Sequence, residues 1–389
     1  MSILSKIVNN FVSSDNKSES LNKKSFVKED EYQTEKAKPG DSLLRDQLAT
    51  TLVDKAETLT DLGHKKEDLE TYNQVVHKFD KSEAFTLRER VVTALTEEGK
   101  NLRDNGHQEE ALAVYRKIVS QFSTIETPSV REKVTQARIQ IATTLIQKGS
   151  SLVENGHEEE ALSVYEDVIH ECADTENLFL CEQVAKALIA KGDILRSKGY
   201  QEEALTVYEN VINKFSTVKD LPLQEQIAIT QTRIAITLIE KATSLTKRGY
   251  KEKALAIYED VINRFGTTED PLLQEQVAQA LLEKGTYFSK LFHYERAISI
   301  YEEIFSKFGN TENPSLQLRV TQALLEKGEI LSLKNCKDEA SDVYEEIIKR
   351  FGQKENALLQ EQVTKAQTCK RRLLVDGFSV ARRRTLFVK

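Results

Sequence analysis

Gly199-Tyr200-Gln201-Glu202-Glu203-Ala204-Leu205-Thr206-Val207-Tyr208 decides the fold, because the chain repeats it. Near copies run from Gly106 to Tyr115, Gly156 to Tyr165 and Gly249 to Tyr258, and weaker ones from Gly63 to Tyr72, Phe292 to Tyr301 and Asn335 to Tyr344. The closing tyrosines, Tyr72, Tyr115, Tyr165, Tyr208, Tyr258, Tyr301 and Tyr344, are separated by 43, 50, 43, 50, 43 and 43 residues. Self-similarity at such a period marks stacked helix pairs, none of which can bury its apolar face alone.

Each repeat divides into two helices. The first carries Ala280-Leu281-Leu282-Glu283-Lys284-Gly285 or a relative of it, such as Ala187 to Gly192 and Ala323 to Gly328. The second opens with acids in its first turn, Glu202 and Glu203 here, where they complement the helix dipole. In it Ala204, Leu205, Tyr208, Val211, Ile212 and Phe215 fall at the offsets of one apolar stripe on a 3.6-residue helix. Small residues, Gly192, Gly285 and Gly328 in the first helix and Ala204 and Ala254 in the second, let two backbones approach closely. Tyrosine and a phenylalanine seven residues later (Phe79, Phe122, Phe215, Phe265, Phe308, Phe351) supply the bulk that fills the space between repeats. Cys172 takes the phenylalanine slot of the third repeat and reads as a small core residue.

Pro128, Pro222, Pro271 and Pro314 fall in the connections just ahead of first helices, where a missing backbone donor costs little. The two 50-residue spacings arise from seven inserted residues, Thr135 to Ile141 and Thr230 to Ile236, ahead of the usual first helix. Seven residues are nearly two turns, so the helix lengthens by about 10 Å with little rotation of its apolar face. The extra turns either form a lip on one edge of the array or pack against each other.

A glycine, a second glycine seven residues on, an alanine five further and a tyrosine four beyond, seen as Gly99, Gly106, Ala111 and Tyr115, resemble the tetratricopeptide repeat. The resemblance covers roughly residues 43 to 370. It implies a right-handed α-solenoid of about seven stacked helix-turn-helix units with a C-terminal capping helix. Departures are visible. The repeat exceeds the family's roughly 34 residues, Leu52, Leu95, Leu188 and Leu281 stand where the family often has tryptophan, and Ala56 and Ala242 replace the first glycine. The longer repeat is similar to that of bacterial members with elongated first helices.

The boundaries expected are a flexible N-terminal arm over 1–40, the solenoid over 41–375 and a basic tail over 376–389. Residues 13 to 39 are polar and poor in apolar side chains, and Pro39-Gly40 marks the edge. Ile3, Leu4, Ile7, Val8, Phe11 and Val12 make a short amphipathic stretch that fits a partner, a membrane surface or the solenoid itself. Leu358 to Leu374 repeats the first-helix pattern with Arg371 in the glycine position, as expected of a cap with a polar outer face.

The net charge of −7 hides a basic tail, so the repeats themselves are acidic. An acidic body argues against binding a phosphate backbone, which leaves nucleic acid only a weak contact through Arg382, Arg383 and Arg384. No apolar run reaches the roughly 18 residues of a membrane span and no secretory pattern opens the chain, so a cytoplasmic protein is expected. Cys172, Cys181, Cys336 and Cys369 lack the paired spacing of a zinc site or a disulfide framework.

Nothing here proposes an enzyme, a cofactor or a metal. His64, His107, His157 and His293 share one turn position, and His77 and His170 another, so they recur one helix pair apart, too far to share an ion. The acidic pairs Glu109-Glu110, Glu159-Glu160 and Glu202-Glu203 recur at helix starts and face water. A ladder of Lys148, Lys191, Lys241, Lys284 and Lys327 either faces the groove and grips an acidic peptide or faces outward and solubilises the array. The asparagine and lysine clamp with which some family members hold a terminal carboxylate is not reproduced.

The function expected is that of a scaffold or adaptor whose concave face, built from first helices, receives a peptide or helix of another protein. The resemblance assigns Lys100, Arg103, Ser150, Asp193, Arg196, Thr243, Thr286, Ser289, Glu329 and Ser332 to that groove. The alternative is a regulatory sensor whose superhelix responds to a small ligand or peptide and controls an effector.

Overall fold

The computed structural model describes residues 42–61, 70–71, 74–75, 85–125, 127–172 and 175–386. Tyr72, Phe79, His64, His77, the N-terminal arm with its amphipathic stretch, and residues 387–389 lie outside the described residues. Among the described residues there are fourteen helices and no strand. In chain order they are α1 (Ser42–Asp61), α2 (Phe85–Asp104), α3 (Gln108–Phe122), α4 (Pro128–Glu154), α5 (Glu158–Glu171), α6 (Leu178–Ser197) and α7 (Gln201–Phe215). They continue as α8 (Leu221–Lys247), α9 (Lys251–Phe265), α10 (Pro271–Lys290), α11 (Tyr294–Phe308), α12 (Pro314–Leu333), α13 (Lys337–Phe351) and α14 (Ala357–Leu386).

The chain divides into two compact units, residues 1–147 and 148–389. In the first, α1 packs on α2 and α2 on α3. In the second, every helix from α5 onward packs on the next, and the first helices α6, α8, α10, α12 and α14 also touch one another in succession. The first helices of this unit therefore form a continuous layer, with the second helices seated between them from behind.

Tight packing within a pair depends on glycine. A Cβ added at Gly99 would lie 2.7 Å from Tyr115 Cε1, and one at Gly328 2.6 Å from Tyr344 Cε1, closer than carbon atoms approach. The tyrosine ring lies directly against the glycine's Cα, and Tyr115, Tyr208, Tyr301 and Tyr344 are fully buried as a result. The phenylalanine slot is buried from Phe122 to Phe351, and Cys172, 1% exposed, fills it in the third repeat as expected.

Between the two helices of a pair the chain turns through one left-handed residue. Gly106, Gly156, Gly199 and Gly249 hold φ between +80° and +89°, where an L-residue is strained. The two weaker copies put Phe292 and Asn335 in the same conformation, at +59° and +62°. Phe292 is 77% exposed there.

First helices begin on side-chain caps. Asn177, Asp220, Asp270, Asn313 and Asn356 each accept a hydrogen bond from a backbone N–H of the first turn, as Asp270 does from Leu272 at 2.7 Å. The prolines lie one step further along than the sequence suggests: Pro128, Pro271 and Pro314 are the first helical residues and Pro222 the second. Pro at the helix start loses no bond, since those N–H groups have no intrahelical acceptor.

First helices α2, α6, α10 and α12 are 20 residues long, whereas α4 and α8 are 27. The seven extra residues are thus helical and in phase. In α8 they do not project as a free lip: Thr230, Thr232, Ile234 and Ala235 are buried, and α8 packs on both α6 and α10. The last helix, α14, runs on to Leu386, past residue 375 where the cap was expected to give way to a tail. No helix among the described residues is long and apolar enough to cross a membrane.

Candidate functional site

The two sides of the second unit treat charge differently. At the back, Lys191 pairs with Glu166 at 2.7 Å, Lys284 with Glu259 at 2.8 Å, Lys327 with Glu302 at 2.7 Å and Lys370 with Glu345 at 2.9 Å. Lys241 joins Glu202 at 2.5 Å. Each lysine reaches to the second helix of the preceding repeat, so from Lys191 onward this ladder is a series of clasps between repeats and is not left free to grip a peptide. Exposed pairs of this kind contribute on the order of 0–1 kcal/mol and serve mainly to set register.

The first-helix face carries unlike groups at equivalent positions. One residue past the packing glycine, or the alanine that replaces it, stand Lys100, Ser150, Asp193, Thr243, Thr286 and Glu329. The adjacent tyrosine phenols reach this row from beneath. Tyr208 Oη donates to Asp193 Oδ1 at 2.6 Å, and Tyr258 Oη lies 3.4 Å from Thr243 Oγ1. Burial raises the phenol pKa at Tyr208 and Tyr301, and pushes Tyr344 up to about 12. These phenols form a neutral, donor-bearing floor.

Asp193 and Arg196 belong to a network between α6 and α8. Arg196 Nη1 lies 2.8 Å from Glu240 Oε1, its Nε 3.9 Å from Asp193, and Arg233 Nε 3.1 Å from Asp193 Oδ1. Each carboxylate here has a guanidinium. In the first unit Arg103 plays a similar part: it pairs with Asp104 at 2.9 Å and donates to Gln140 Oε1 at 2.5 Å. Lys100 is exposed and 3.6 Å from Glu97, and Ser150 is exposed. Thr286 and Ser289 are partly exposed on α10, while on α12 Glu329 is exposed and Ser332 donates to the Gly328 carbonyl at 3.0 Å.

Arg233, Glu240, Glu283, Glu326 and the phenols join this face although the repeat pattern alone does not mark them as groove groups. Their signal was present: Glu240, Glu283 and Glu326 recur two residues before the packing position. His107 and His157 sit at the turn and pair with Glu110 and Glu160 at 3.2 and 3.4 Å. No group of three metal-ligating side chains occurs among the described residues.

A face of first helices over buried tyrosines defines a helical-repeat architecture. Residues 185–213, from the second half of α6 through Gly199 into α7, match the family model described as tetratricopeptide repeat. The chain thus carries a tetratricopeptide repeat, and the same helix pair recurs on both sides of it in the second unit. No curated protein matches. Among solved structures, the chain is similar to the TPR domain of P58(IPK), at 16% identity over 85% of this chain and 99% of that one, with a TM-score of 0.29. A tetratricopeptide repeat protein from Parabacteroides merdae gives 16% identity over 82% and 98%, with a TM-score of 0.26. A signal-transduction ATPase with a tetratricopeptide repeat sensor from Pyrococcus horikoshii gives 11% over 96% and 56%, with a TM-score of 0.38.

Proposed function

We propose that this protein is a cytoplasmic interaction scaffold whose first-helix face receives a segment of another protein. One observation carries the reading. The back of the second unit binds its own charges in clasps between repeats, whereas the row after the packing position changes along the array, from Ser150 and Asp193 through the hydroxyls of Thr243 and Thr286 to Glu329. A surface that varies on a rigid, repeating frame suits recognition of one particular segment. In each unit separately, the contact residues are Lys100 and Arg103, then Ser150, Asp193, Arg196, Thr243, Thr286, Ser289, Glu329 and Ser332. The four free thiols support a reducing compartment.

The test is affinity purification of the full chain from its native host, compared with a Thr243→Lys/Thr286→Lys variant of unchanged helical circular dichroism. A set of proteins captured by the natural chain and lost from the variant is the expected result. Identical capture by both, or no specific protein in either, would overturn the reading.

A further inference from the structure

The first helices of the second unit meet at equivalent interfaces, and one interface shows what another lacks. Between α6 and α8, Arg196 lies four residues past the packing glycine and reaches Glu240, two residues before the packing position of the next first helix. Between α10 and α12 the same two places hold Ser289 and Glu326. The acceptor is kept and the arginine is replaced by a side chain of one hydroxyl. Glu283 on α10 and Glu329 on α12 add two further carboxylates, close enough to act electrostatically on Glu326.

Within α10, Gln279 donates to Glu283 Oε1 at 2.8 Å, and among the described residues the cations nearby make no ion pair with the three carboxylates. Lys290 faces Glu326 from α10 but makes no ion pair. Arg319 donates to Gln322, and Lys327 and Lys370 are committed to Glu302 and Glu345. Beneath the cluster, Tyr301 is 0% exposed and its Oη makes no well-formed hydrogen bond, the Thr286 hydroxyl being the polar group beside it. At the α6–α8 interface the equivalent phenol, Tyr208, is satisfied by Asp193 within the arginine-bridged network. A buried phenol without a well-formed hydrogen bond costs free energy, and it lies here under three carboxylates and a missing cation.

We propose that the α10–α12 part of this face binds an arginine guanidinium of a partner segment, held by Glu283, Glu326 and Glu329 where Arg196 serves the α6–α8 interface from within. The proposal rests on the scaffold reading and names the chemistry of the partner. Guanidinium suits the place because its planar fork satisfies several carboxylate oxygens at once, and the chain's own α6–α8 interface uses it so. Ser289 is smaller than the arginine whose place it takes and carries no charge.

Ser289→Arg should supply the guanidinium internally and close the site, while Glu326→Gln removes a carboxylate at constant shape. Glu203→Gln, on the exposed start of α7, removes the same charge elsewhere. Binding of fluorescently labelled hexa-arginine to the full chain is read by anisotropy at physiological salt. Ser289→Arg and Glu326→Gln should each weaken it about tenfold, the scale of one charge-assisted hydrogen bond, and Glu203→Gln less than twofold. Equal loss in all three variants shows attraction to net charge alone and overturns the proposal, as does unchanged binding by Ser289→Arg. Should Ser289→Arg fail to fold, the contrast between Glu326→Gln and Glu203→Gln decides it. Host proteins lost from Thr243→Lys/Thr286→Lys, with hexa-arginine indifferent to Glu326→Gln, leave the scaffold reading standing and remove only this one.

Discussion

Gly192 and Gly199 stand seven residues apart and are required for unrelated reasons. Gly192 has no room for a methyl group, because the Tyr208 ring lies on it. Gly199 has open space around it but holds φ at +84°. Gly192→Ala should push the ring aside and lengthen the Tyr208–Asp193 bond, costing about 1–3 kcal/mol of overpacking strain. Ala242 occupies the position in α8, where the Tyr258 phenol lies 3.4 Å from Thr243 Oγ1. Gly199→Ala should cost about 1–2 kcal/mol through backbone strain alone, with the tyrosine environment unmoved. Urea denaturation with tyrosine fluorescence separates them, since only Gly192→Ala changes the native signal. Both glycines were legible in the sequence because they recur in phase. Their distinct reasons were not, since a left-handed backbone and a ring contact leave the same letter.

At the level of helices, length was the quantity the sequence carried best. Spacings of 43 and 50 residues between tyrosines predicted two first helices longer by seven, and α4 and α8 have that length. A periodic stripe survives such an insertion because seven residues return nearly to the same face, so the repeat stays readable. What became of the extra turns was not readable, because it depends on neighbours distant in sequence: Gln140 meets Arg103 of α2, and Arg233 meets Asp193 of α6. The caps were missed for a different reason. Asn and Asp also suit loops, and only the hydrogen bond distinguishes the two uses. Asn313 accepts from Ser315 at 2.9 Å and Leu316 at 3.4 Å. Asn313→Ala should therefore lower stability by about 1 kcal/mol, whereas Asn310→Ala, in the exposed turn just before it and giving up only a surface contact from Arg350 at 3.3 Å, should change it by less than about 0.5 kcal/mol. Denaturant midpoints of the two variants check this, and equal losses would mean the cap contributes nothing.

Across the second unit, charge follows a plan that runs from satisfied to open: clasps at the back, a closed arginine network between α6 and α8, and carboxylates that make no ion pair between α10 and α12. The open part should weigh on stability, and pH reveals it. Burial raises the carboxyl pKa of Glu326, Glu329 and Glu283 raise it further, and Lys290 opposes them. Glu329, Glu283 and Lys290 are the charged groups that act on it, and the Tyr301 phenol on α11 lies close to it. A carboxyl whose pKa rises on folding stabilises the fold fully below its unfolded value and loses that contribution as pH climbs through the folded one. Ionising Glu326 as pH rises thus costs the folded chain stability that the unfolded chain does not lose. Glu326→Gln should melt higher than the natural protein near neutrality, and the difference should close as pH falls below the usual carboxylate range. The same sign holds for Glu98 in the first unit, where burial raises the carboxyl and Lys117 opposes it. Melting curves of both glutamine variants between pH 4 and pH 8 test this. A Glu326→Gln chain that melts lower at neutrality would show that the carboxylate is already satisfied within the fold, and the α10–α12 face would then have no vacancy for a guest.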